Sequence, residues 1–136
     1  MSRNISRQIS NEKDILHAIN NEKSIGVSVQ WVRLELLDIA AQLRLAANAD
    51  IIVGMHGAGL TLTLFAPPHA GLIEFKPKYF KNASGHFQGI ARWRKLHYDR
   101  WENTDPILEK GDTHSEIPIP VVSDMLYKMR RSICRN

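Results

Sequence analysis

The sequence predicts an α/β domain in which a mostly parallel sheet is covered by helices. Short branched apolar segments alternate with stretches of helical periodicity along most of the chain. The run Ile51-Ile52-Val53, set between Asp50 and Gly54, is continuously apolar, as in a fully buried parallel strand. A glycine-rich turn and a new helix follow it directly. At 136 residues the chain fits one domain, 1–136, and a chain of this size buries roughly two-thirds of its unfolded surface.

The elements are predicted in order as follows. Ser10 or Asn11 caps a helix to about Glu22, with Ile15, Ala18 and Ile19 on one face. Ile25, Val27, Val29 and Trp31 alternate with Gly26, Ser28 and Gln30, which predicts a half-buried strand over Ile25–Val32. A helix over Leu36–Ala47 buries Leu36, Ile39, Ala40, Leu43 and Ala47 and stops at Asn48. After the Asp50–Gly54 strand and the turn Met55–Gly59, a short helix over Leu60–Phe65 ends at Pro67-Pro68. Ala70–Lys76 is a second buried strand. Asn82–Lys95 is a helix burying Phe87, Ile90, Ala91 and Trp93, and Leu96–Trp101 is a further strand. The polar stretch Glu102–Pro120 reads as a long loop. Val121–Cys134 is a closing helix with Val121, Met125 and Met129 inward and late cations that suit the helix dipole.

Composition narrows the function classes. A hydrophobic share of 43% and a charged share of 24% exclude a wholly disordered chain. The net charge of +4 suits anionic ligands. The basic residues are scattered and are not paired with stacking aromatics, so no nucleic-acid partner is expected. Cys134 is the single cysteine, which forbids an internal disulfide. No stretch approaches the ~20 apolar residues of a membrane span. Met1–Gln8 is polar and lacks the apolar core of a signal peptide. His69, His86, His97 and His114 share no ligand spacing, so no metal centre is expected.

In open parallel sheets ligands bind beyond the C-terminal strand ends, so the turn after Val53 and the loop after Phe75 should share one rim. The turn Gly54-Met55-His56-Gly57-Ala58-Gly59-Leu60-Thr61 has three glycines in six residues. Its glycines permit close backbone approach, and the first amides of the following helix carry partial positive charge. That combination suits a diphosphate, with Thr61 and Thr63 as hydroxyl donors and His56 pointing over the rim. The turn is neither a dinucleotide fingerprint nor a P-loop. From the residues alone two readings stand side by side: a phosphate cradle, or a plain tight connection with a core or rim histidine.

The order Ala49-Asp50-Ile51-Ile52-Val53-Gly54-Met55-His56-Gly57-Ala58-Gly59-Leu60-Thr61, then Leu64-Phe65, Pro67 and Ile73-Glu74, resembles the signature of glycosyltransferase family 61. Gln42 and Tyr98 also fit, and the resemblance is strong over about Leu36–Trp101. It implies a Rossmann-like three-layer domain, similar to the C-terminal, donor-binding half of a two-domain GT-B glycosyltransferase. The implied reaction is an inverting transfer of a sugar such as GlcNAc or xylose from a UDP-sugar to a protein or glycan hydroxyl, with no required cofactor or metal. The implied setting is the endoplasmic reticulum or Golgi lumen, with any membrane attachment through an N-terminal anchor missing from this chain. Asn4-Ile5-Ser6 and Asn82-Ala83-Ser84 match the N-glycosylation acceptor and add little weight to that setting.

By the same resemblance, His56 is the catalytic-site candidate. The amides of Gly57, Ala58, Gly59 and Leu60, with Thr61, hold phosphate, and Glu74 bridges the ribose hydroxyls. Lys76 and Lys78 lie just beyond, as phosphate contacts or as solvated lysines. The sequence departs from the family pattern at Leu62, where a polar residue is usual, and in lacking the N-terminal acceptor domain. No general base is identified: Asp50 is at the wrong strand end, and Asp99 and Glu102 read as surface acids. The alternative is a catalytically inactive α/β nucleotide-binding or protein-interaction module.

Overall fold

The computed structural model describes residues 8–78, 85–111 and 114–135. It is a mixed α/β structure whose strands pair in parallel in open sheets, as a Rossmann-like three-layer domain requires. The elements are β1 (Gln8–Ile9), α1 (Glu12–Asn21), α2 (Ile39–Ala47), β2 (Ile51–Met55), β3 (Gly71–Lys76), α3 (His86–Arg94), β4 (His97–Glu102), β5 (His114–Ser115) and α4 (Ile119–Cys134). Three short 3-10 helices, Leu34–Leu36, Ala58–Phe65 and Pro106–Leu108, lie between them. The main sheet has the order β2-β3-β4, and β1 pairs separately with β5.

The layers follow from the alternation of side chains along β3. Ile73 and Phe75 point to one face, where Ile15 and Ile19 of α1 and Val122, Met125, Leu126 and Met129 of α4 close over them. Leu72 points to the other, with Leu60 from the 3-10 segment, Ala66 just after it, and Phe87 and Ala91 from α3. Each of the Ile, Leu, Val, Phe and Met side chains among them contributes roughly 1.5–3 kcal/mol on burial, and the alanines less. Gly71 lets α4 approach: a Cβ there would lie 2.6 Å from Met129 Cγ and Sδ. Every residue of β3 is buried, as its apolar run predicts.

Several expectations are corrected. Ile25–Val32 joins no sheet among the described residues, although Ile25 is buried and Val27 and Val29 pack on the core. The alternation is met by burial alone. The side-chain amide of Asn20 takes the place of a neighbouring strand, accepting from Val29 N at 3.1 Å and donating to Val29 O at 3.5 Å. The second helix begins at Ile39, because Asp38 caps it through the Ala41 amide at 2.7 Å. Its expected inner face is largely outward: Leu36 and Ile39 are 76% and 75% exposed, while Ala46 is buried. The helix is nearly apolar all round, so its sequence does not set its phase. The 3-10 segment Ala58–Phe65, against which it packs, does.

The strand after Asp50 is also not fully buried, since β2 is a sheet edge and Val53 is exposed. The helix after the turn is 3-10 rather than α and begins at Ala58. The first part of the expected Asn82–Lys95 helix, 82–84, lies outside the described residues, and Trp93 on α3 is 75% exposed rather than buried. The stretch 102–120 is not all loop, since it holds Pro106–Leu108 and β5. Met125 and Met129 do face inward on α4, as their spacing predicts. Among the described residues no helix is long and apolar enough to cross a membrane.

Candidate functional site

The parallel register Gly54↔Glu74 and Glu74↔Arg100 brings the C-terminal ends of β2, β3 and β4 to one rim. The His56 amide continues the β2–β3 ladder by one bond, donating to Phe75 O at 2.7 Å. The chain then turns through Gly57 into the 3-10 segment, where Leu60 N donates to Gly57 O at 3.1 Å. Gly54 is needed for this path, because a Cβ there would sit 2.9 Å from Leu60 Cδ2. Gly57 offers no side-chain acceptor to the helix start. The first amides of such a helix find no partner within it and suit an anion.

Two further contacts support the turn from α2. Gln42 Nε2 donates to Leu34 O at 2.8 Å and Leu37 O at 3.1 Å. Leu34 Cδ1 in turn lies 3.1 Å from where a Gly59 Cβ would be, so the Leu34 segment closes against the turn. Thr61 is exposed beside the turn. Thr63 is fully buried and donates to Leu60 O at 2.6 Å, so it braces the segment instead of serving a ligand.

His56 and Glu74 are brought together, but not as expected. The imidazole is 5% exposed and turns inward, with Nδ1 paired to Glu74 Oε1 and Phe87 edge-on at 5.1 Å. Glu74 is 1% exposed, and its Oε2 accepts the Tyr98 hydroxyl at 2.6 Å. A carboxylate on a central strand must be supplied with donors, and His56 and Tyr98 supply them. Neither side chain lies open on the rim; with Tyr98 they form a hydrogen-bonded His56–Glu74–Tyr98 chain in which His56 and Glu74 are buried and Tyr98 is half-buried. That chain fastens the turn to β3 and β4. Burial, together with the hydrogen bond and charge of Glu74, holds the Tyr98 phenol well above its ordinary range, against a smaller opposing pull from Arg100. Tyr98 therefore stays the donor and Glu74 the acceptor.

The other sequence candidates separate. Lys76 is 8% exposed, with its ammonium 3.6 Å from Glu102 Oε1; Arg100 NH2 reaches the same oxygen at 2.8 Å. Glu102 is thus a paired acid, not a lone one. The side chain of Lys78 is exposed, while its backbone amide donates to Glu109 Oε1 at 2.9 Å. Glu109 also accepts from Asn103 at 2.6 Å and from Ser115 at 2.6 Å, tying together the segments after β3 and β4. Burial raises the Glu109 pKa, but the bonds from Ser115, Asn103 and Lys78 outweigh it and leave the carboxyl below its ordinary value. Asp50 lies at the opposite strand end, and Asp99 accepts from Arg100 N at 2.9 Å. Sequence reasoning missed Arg100 as a rim residue. Its signal is the alternation Tyr98, Arg100, Glu102, which sets all three on the face of β4 that adjoins Glu74 and Lys76.

The sequence profile of the glycosyltransferase 61 family matches residues 1–73. The chain is 32% identical over 108 residues to the EGF domain-specific O-linked N-acetylglucosamine transferase of Gallus gallus. It is 36% identical over 109 residues to that of Drosophila melanogaster and 32% over 108 to that of Mus musculus. Each alignment covers 79% of this chain and 20% of the relative, so the chain spans about a fifth of the length of the curated relatives it matches. With a turn, strand order and rim of the kind its signature residues imply, the chain belongs to glycosyltransferase family 61.

Proposed function

We infer that this chain supplies the nucleotide-sugar site of an inverting glycosyltransferase, transferring a sugar such as GlcNAc or xylose from a UDP-sugar to a glycoprotein or glycan hydroxyl. The observation that carries this reading is the turn His56–Thr61. It sits at the C-terminal rim of a parallel sheet, with helix-start amides in place and its first residue fastened through both backbone and side chain to β3. The amides of Gly57, Ala58, Gly59 and Leu60, with the Thr61 hydroxyl, take the diphosphate. His56 and Glu74 hold that cradle in shape from beneath. In the transfer, the acceptor oxygen bonds to C1 of the sugar as the C1–O bond to the diphosphate breaks. The electron pair leaves with the diphosphate, and the hydroxyl proton passes to a base. Charge developing on the leaving group is what the turn's amides stabilise, without a required metal or cofactor. A partner domain supplying the acceptor site and the base completes the enzyme, in the endoplasmic reticulum or Golgi lumen.

A second reading, an inactive α/β nucleotide-binding or interaction module, draws on Leu62 in place of a polar residue and on the outward Leu36 and Ile39. Calorimetric titration with UDP and UDP-GlcNAc separates the two, with Gly57→Val as the probe. A Cβ at Gly57 meets nothing closer than Met55 O at 3.8 Å, and the extended backbone accepts valine, so the fold should persist. The expected outcome is UDP binding that falls at least tenfold in Gly57→Val with an unchanged melting temperature. Equal affinity in the two proteins, or no UDP binding at millimolar ligand, rejects the donor-site reading.

A further inference from the structure

The turn alone brings amide dipoles but no full positive charge to a ligand that carries at least two negative ones. The same rim holds a pair of cations that meet this need. Lys76 ends β3 and stands directly opposite Glu102 of β4, and Arg100 lies two residues earlier on the same face. The Lys76 stem is buried, an unusual placement for lysine without a close partner. Its ammonium lies 3.6 Å from Glu102, beyond a good N–H···O distance, and makes no hydrogen bond among the described residues. Glu102 is itself 46% exposed on its side chain and is drawn mainly to Arg100 at 2.8 Å. Two cations thus converge on one oxygen of one half-exposed carboxylate. The Arg100 guanidinium also reaches the Tyr98 phenol, whose hydroxyl bonds Glu74, which in turn holds His56. The cation pair is therefore built into the same face of the sheet as the anchor of the turn.

We propose that Lys76 and Arg100 form an anion site that receives a phosphate group of the nucleotide-sugar donor, with Glu102 as the resident counter-ion that the phosphate displaces. The proposal rests on the donor-site reading and adds to it the source of full positive charge. A phosphate group presents several oxygens, so it can satisfy the guanidinium fork and the ammonium together, where one carboxylate oxygen now serves both poorly. An exposed surface ion pair is weak, so Glu102 can leave at little cost.

The test uses the 136-residue chain and titrates UDP and inorganic pyrophosphate into wild type, Lys76→Met, Arg100→Met, Glu102→Gln and, as a control on the helix covering the opposite face of the sheet, Lys128→Met. The expected result is about a tenfold loss of affinity for both ligands in Lys76→Met and in Arg100→Met, as for one charge-assisted contact. Glu102→Gln should bind both ligands several-fold more tightly, and Lys128→Met should match wild type. If the buried Lys76 stem proves essential for folding, the gain in Glu102→Gln alone decides, because that side chain is largely exposed. UDP binding that is lost in Gly57→Val but unchanged in Lys76→Met, Arg100→Met and Glu102→Gln overturns this proposal and leaves the donor site standing. Absence of binding in every protein overturns both.

Discussion

Tyr98 and Glu74 lie 24 residues apart in sequence and meet on adjacent strands through a hydrogen bond of 2.6 Å. The bond joins a phenol to a carboxylate that is itself almost fully enclosed, and it leaves the other carboxylate oxygen to His56. The turn is thereby held by a polar chain, buried at His56 and Glu74 and half-buried at Tyr98, running from just beyond β2 across β3 to β4.

Removing the middle of that chain should cost more than removing its end. Glu74→Ala strands the buried His56 and the half-buried Tyr98 and should lower stability by about 3–5 kcal/mol in urea unfolding. Tyr98→Phe removes one donor and should cost about 1–3 kcal/mol. The phenol's raised pKa adds a pH signature. Its stabilising effect is complete below the ordinary tyrosine value of 10.0 and fades as pH climbs from there towards the raised folded value. Alkaline titration followed by tyrosinate absorbance should show a late phase that is missing in Tyr98→Phe. Equal costs for the two substitutions would mean that His56 does not depend on Glu74.

Glu109 should give the opposite pH dependence. Its folded-state pKa is below the ordinary 4.5, because three hydrogen bonds to the carboxylate outweigh its burial. Its contribution is therefore present above about pH 4.5 and is lost as pH falls through the lower folded value. Glu109→Gln should flatten the acid limb of the stability curve relative to wild type. An unaltered acid limb would show that the loops after β3 and β4 are joined by other means.

A side chain at Gly71 should be costly while Met129 is in place. Gly71→Ala sets a Cβ 2.6 Å from Met129 atoms and should cost about 1–2 kcal/mol of overpacking, at the lower end because methionine yields. Combined with Met129→Ala, the alanine at position 71 should cost less than it does alone, a coupling that a double-mutant cycle measures. Simple additivity would place the clash elsewhere.

Much of this architecture can be read along the chain because it rests on local causes. Apolar runs bounded by Asp50, Gly54 and Pro77 mark β2 and β3, and the Met125–Met129 spacing marks the inner face of α4. The glycines before Leu60 mark the turn, and the residues around them identify the family. What could not be read depends on a neighbour. Ile25–Val32 has the alternation of a strand, but a strand exists only where another one pairs with it, and here Asn20 intervenes. The apolar belt of α2 has no preferred phase until the 3-10 segment covers one side of it.

The same division runs through the site. Sequence by itself determined that a glycine turn with His56 follows a parallel strand and that Glu74 lies near the end of the next one, because chain order and strand period are local properties. Tertiary structure alone decided what those residues do. The parallel register set Tyr98 and Arg100 beside Glu74 and Lys76, and once Glu74 was buried it had to be satisfied by His56 and Tyr98 from within the protein. Burying a carboxylate without donors is costly, and that cost is why Glu74 meets His56 and Tyr98 and thereby fastens the turn.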